Sequence, residues 1–84
     1  MDKFIEVYEF FVEYATHEIK LKEIALSSFY KIANIYMVEF KNGWAIIIEL
    51  DHGREFCHSL CKSKENAYQV LNELKDKLNG RENG

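Results

Sequence analysis

Proline is missing from this chain altogether. Nothing therefore locks φ in an element interior, and a stiff proline-rich linker is excluded. Glycine is nearly as scarce: Gly43, Gly53, Gly80 and Gly84 are the only four in 84 residues, and no glycine-rich phosphate loop can be built from them. Two cysteines, Cys57 and Cys61, are too few for a disulfide framework and fit a reducing cytosol. No apolar run approaches the roughly 20 residues of a membrane span. The start, MDKFIEVYEFF, is broken by glutamates, unlike a secretory leader. Positive charge is also short, since 11 Lys and Arg against 14 Asp and Glu leave a net charge of −3. That balance argues against a protein that grips nucleic acid by neutralising phosphates. The expectation is a cytoplasmic single domain over residues 1–80 with a disordered tail at 81–84.

Apolar and aromatic side chains are abundant, at 48% and 14% of the chain. The stretch from Ile35 to Leu60 concentrates them in three runs separated by two glycine turns. Asn42-Gly43 predicts a two-residue hairpin loop, because Asn tolerates and Gly readily adopts positive φ. Lys41 then faces Trp44, Val38 faces Ile47, and Ile35 faces Leu50. At the second turn, a three-residue loop Asp51-His52-Gly53 sets Ile48 against Phe56 and Trp44 against Leu60, whereas a two-residue loop would pair apolar with polar positions. One face of the meander carries Ile35, Met37, Trp44, Ile46, Ile48, Leu50, Phe56, His58 and Leu60. The other, with Tyr36, Val38, Phe40, Ala45, Ile47, Cys57, Ser59 and Cys61, is too apolar to be left in water. It calls for a cover, either a second helix or another copy of the chain.

On either side of the meander the pattern reads as helix. From Asp2 to about His17, Glu6, Glu9 and Glu13 recur at three- and four-residue spacing, opposite Phe4, Val7, Tyr8, Phe11 and Ala15. Asp2 can cap that helix. Residues 19–29 predict a short strand with a bulge and a turn at Ser27-Ser28, and Tyr30 to Phe40 a longer strand. Ser63 caps a C-terminal helix with the stripe Ala67, Val70, Leu71, Leu74 and Leu78, ended by Asn79-Gly80. The fold class expected is therefore α+β: an N-terminal helix, an antiparallel meander of three to four strands, and a C-terminal helix packed on the sheet.

Few residues suggest chemistry. Cys57-His58-Ser59-Leu60-Cys61 first suggests zinc, but on a strand the cysteines lie about 13 Å apart at ~3.3 Å per residue, too far for one metal or a disulfide. His58 points the opposite way, and neither His17 nor His52 has a neighbour in sequence that would activate it. Glu39 and Glu49 interrupt apolar runs, where a carboxylate either sits at a wet rim or gains a raised pKa. No catalytic set can be assembled, so the expectation is no enzyme, no cofactor and no metal.

The run NGWAIIIELDHGREFCHSLCKSKENAYQVLNELKDKL resembles a C-terminal pattern of small bacterial and phage domains: hairpin, strand, Ser-capped helix. In topology the expected sheet-then-helix order is also similar to Whirly-like and PUR-type single-strand binders, a resemblance that implies a dimer. The function expected first is a non-enzymatic protein-interaction module that self-associates. Its sharpest form is an accessory or inhibitor protein of a phage or mobile element that occludes a host protein. Glu6, Glu9, Glu13 and Tyr14 are the candidate partner-facing residues, and Tyr30, Tyr36, Val38, Phe40 and Glu49 the candidate self-association or ligand face. One alternative is single-stranded nucleic-acid binding by Tyr30, Tyr36 and Phe40 with Lys31 and Lys41. Another is a small ligand, such as a nucleotide, held at a subunit interface and polarised by Glu49 and His58.

Overall fold

A computed structural model of the chain describes residues 3–80. Asp2, expected as a cap, and the tail 81–84 lie outside the described residues. The elements run β1 (Phe4–Glu13), β2 (Glu18–Ser28), a 3₁₀ turn (Phe29–Lys31), β3 (Ile32–Phe40), β4 (Gly43–Leu50), β5 (Glu55–Cys61) and α1 (Lys64–Gly80). All neighbouring strands are antiparallel, in the order β2-β1-β5-β4-β3.

The expected N-terminal helix does not form, and the sheet has five strands rather than three or four. Phe4–Glu13, FIEVYEFFVE, is rich in the β-branched and aromatic residues that suit a pleated surface. Its glutamates at three- and four-residue spacing mimic a helix face. As a strand, β1 sends Ile5 and Val7 into the core on one side and Tyr8 and Phe10 to the other. Alternation is obscured at Phe10-Phe11-Val12, a stretch that pairs with β2, while the β1–β5 pairing lies at Tyr8. Residues 19–29 do form a strand with a bulge, but it continues through Ser27-Ser28 to the 3₁₀ turn. Tyr8 pairs with Ile24 and Phe10 with Leu21, so β2 carries one extra residue at Lys22-Glu23, and such a bulge sharpens the twist.

In the meander the faces come out as expected near the turns, while both registers shift. The first loop is Lys41-Asn42: Phe40 pairs with Gly43, Val38 with Ala45 and Ile35 with Ile48. A slip of two residues leaves every side chain on its own face. The reason lies outside the hairpin, because the Asn42 amide bonds both the N–H (3.1 Å) and the carbonyl (2.9 Å) of Ile19. The second loop is the three-residue one, with Gly53 at φ 92° and Ile48 opposite Phe56. Beyond it a bulge at His58 moves Ser59, Leu60 and Cys61 each to the opposite face, setting Ala45 against Leu60.

Two cores result. The larger joins Ile5, Val7, Ile35, Ile46, Ile48 and Phe56 to Ala67, Leu71 and Leu74 of α1. The Ser63 hydroxyl caps α1 by accepting from the Asn66 N–H at 3.2 Å. The smaller core, on the second face, holds Ile19, Ala45, Ile47 and Cys57, flanked by Phe10, Tyr36, Val38, Phe40 and Leu60. Within the chain its cover is not a helix: the tip of the β1–β2 hairpin folds over it, and the Lys41 N–H donates to the His17 carbonyl at 2.9 Å.

Candidate interaction surface

A helix is about 10–12 Å across and strands sit ~4.8 Å apart, so one helix cannot cover a sheet this wide. Helix α1 lies across β3, β4 and β5. β1 and β2 project beyond it. Their alternation sends Ile5, Val7, Ala25 and Ser27 towards the helix side and Phe4, Glu6, Tyr8, Ile24 and Leu26 to the other. On that outer face Phe4 is 60%, Ile24 55% and Leu26 69% exposed. Leu26 pairs with Glu6 and Ile24 with Tyr8, which makes Phe4 a diagonal neighbour of Leu26. Along β2 this apolar patch borders the sheet's own edge.

The expected acidic face is dispersed by the strand conformation. Glu6 stands within the apolar patch, while Glu9 projects to the opposite face and bonds the Arg54 guanidinium, which also lies over the Phe56 ring. Glu13 is 3.8 Å from Lys20, which also pairs with Glu18 at 3.5 Å. Tyr14 stands nearly clear of the molecule at the hairpin tip.

The second candidate face is drawn inward instead. Tyr36, Val38 and Phe40 are half-buried against the smaller core, and the Phe40 ring lies 5.6 Å from that of His17. The Tyr36 hydroxyl donates to the Glu55 carboxylate, and its pKa is pushed up to about 12 by burial, then by Glu55 and Glu49. Carboxylates at this point oppose the approach of phosphates. Tyr30 sits apart from Tyr36 and Phe40, exposed in the 3₁₀ turn. Glu39 is exposed at the β3 edge, so its charge stays in water.

The cysteines part company at the His58 bulge: Cys57 is buried in the smaller core and Cys61 packs against the larger one. The Cys57 thiol donates to the Ser59 carbonyl at 3.3 Å, and burial pushes its pKa up to about 11, so it is a poor nucleophile. Among the described residues no cluster of three or more His, Cys, Asp or Glu could hold a metal. His58 lines a cleft of about 720 Å³ between β1 and α1 with Ile5, Phe29, Leu74, Lys3 and Lys77, and Phe4 and Glu6 border this cleft as well as the outer patch. Glu49 belongs to the other face, so the expected Glu49–His58 pair is not brought together. With both signs of charge around it, the cleft selects no one ligand charge.

No protein-family model, curated protein or solved structure shows a significant match to the chain. The margin of the β1–β2 hairpin was hidden from sequence reasoning by the helical reading of residues 2–17. Its signal is the alternation Ile24-Ala25-Leu26-Ser27, apolar on a face left exposed among the described residues.

Proposed function

We propose that this chain is a protein-interaction module that works by self-association, with the outer margin of the β1–β2 hairpin as its contact surface. The observation that carries this reading is the contiguous exposure of Phe4, Ile24 and Leu26 beside a strand edge. Single exposed apolar residues are ordinary, whereas a cluster at an edge marks a contact site. Each such side chain contributes roughly 1.5–3 kcal/mol when taken fully out of water, and a two-fold contact counts each one twice. A small domain with two modest cores gains most from such sharing. Occlusion of another protein's site, the role expected for a phage or mobile-element accessory, would use the same margin.

Light scattering tests the reading. At micromolar concentration the chain is expected at twice its 10.0 kDa mass. Leu26→Lys should return it to a monomer with an unchanged circular dichroism spectrum. An unmodified chain that stays monomeric at about 100 μM, a concentration at which even a weak contact of ~5–6 kcal/mol is populated, would remove the proposal.

A further inference from the structure

We infer that two copies join edge to edge along β2, antiparallel, with Ala25 facing its own counterpart on the two-fold axis, so that two five-stranded sheets become one of ten. This rests on the self-association reading and supplies its geometry.

The hydrogen-bond parity of β2 provides the first constraint. The Phe29 N–H donates to the Lys3 carbonyl at 3.0 Å, and the register continues as Phe4 with Ser28 and Ile5 with Ser27. In an antiparallel ladder hydrogen-bonded pairs alternate with non-bonded ones, so Ser27 and Ala25 turn their backbone groups to β1. Ile24, Leu26 and Ser28 turn theirs outward. The outward groups and the exposed Ile24 and Leu26 side chains thus belong to the same residues.

Symmetry provides the second. A two-fold axis normal to an antiparallel pair passes midway between two directly opposed residues; elsewhere a carbonyl would face a carbonyl. Only three placements use the apolar stretch. Ile24 on the axis sets Lys22 against Leu26, and Leu26 on the axis wastes Ile24 on Ser28. Ala25 on the axis pairs Ile24 with Leu26 twice and Glu23 with Ser27. It also makes Ala25 a non-hydrogen-bonded pair, where Cα atoms approach to about 4.5 Å and a small side chain is suited.

The rest of the molecule limits the seam to this segment. The bulge at Lys22-Glu23 breaks the ladder beyond Ile24. Further on, Lys20 is held by Glu13 and Glu18, and Ile19 is tied to Asn42. On the helix side α1 stands over β3, β4 and β5, clear of the seam. The contact is isologous and uses up the edge it pairs, so it closes as a dimer.

Cysteine trapping and amide exchange test the register. Ala25→Cys should form an intermolecular disulfide under oxidised glutathione. Ile24→Cys should not, because its sulfur-bearing carbons would lie about 8 Å apart, two residues out of line, against the ~4 Å a disulfide needs; a yield difference of at least roughly tenfold is expected. In the unmodified chain, raising the concentration through the dimerisation range should slow exchange of the Ile24 and Leu26 amides at least tenfold and leave Ala25, already bonded to β1, unchanged. A dimer by light scattering in which Ala25→Cys is not trapped, or in which the Ile24 and Leu26 amides show no slowing, overturns the seam while self-association stands. A monomer at all concentrations overturns both.

Discussion

Gly43 carries a constraint that no neighbour in sequence announces. Its φ is 146°, and an added Cβ would meet the Cys61 carbonyl oxygen at 2.6 Å, because β5 crosses β4 closely at this point. Gly53 also has positive φ, at 92°, but nothing lies within 4 Å of the place its Cβ would take. Gly43→Ala is therefore expected to cost roughly 2–3 kcal/mol in urea unfolding, against about 1 kcal/mol for Gly53→Ala, where only the backbone conformation is strained. His58 makes a second residue-scale prediction. Burial, and then the Lys77 ammonium, lower its pKa below the ordinary 6.5. The unfolded chain thus binds the proton more readily than the folded one, so stability is intact above pH 6.5 and declines as pH falls towards the lowered folded value. His58→Gln should flatten that decline in unfolding measured from pH 7.5 to 5, relative to the unmodified chain; an unaltered slope would show that other groups set it.

At the scale of elements, what the hairpins and α1 became depended on how far their determinants lay along the chain. α1 was readable from its Ser63 cap to its stripe of Ala67, Leu71 and Leu74, because capping and 3.6-residue periodicity act within a few turns, although the helix runs on through Asn79 and Gly80, which were expected to end it. The three-residue loop at Asp51-His52-Gly53 was readable for the same reason. The β3–β4 loop was misplaced by one residue, and its pairing by two, because Asn42 answers to Ile19, 23 positions away, rather than to its own turn. Asn42→Ala removes both of those bonds at once. It is expected to cost about 1–3 kcal/mol and to loosen the lid over the smaller core, seen as faster exchange of the Ile19 and Lys41 amides. Exchange unchanged at both would show that the hairpin tip is held by packing alone. β1 was lost to a helical reading because three glutamates at helical spacing outweighed a β-rich composition; in the fold those glutamates go to unrelated places.

Across the whole molecule the question is how one helix and five strands dispose of their apolar surface. The surplus over what two helices would hide was legible, and it prompted the expectation of a partner on the second face. The chain meets much of that need itself by curling its first hairpin over Ile19, Ala45, Ile47 and Cys57. The unmet remainder moves to the margin of β1 and β2, beyond the reach of α1. Of the residues first singled out for contact, only Glu6 lies in that patch. Composition, charge, the C-terminal helix and the two-faced character of the meander were determined by the sequence alone, since each rests on residue types and spacings within a dozen positions. The pairing of β1 with β5, the flip at the His58 bulge and the exposed edge of β2 were decided only by the tertiary structure. Each depends on which distant segment wins the competition for one face of the sheet, a free-energy difference spread over many contacts and written at no single position.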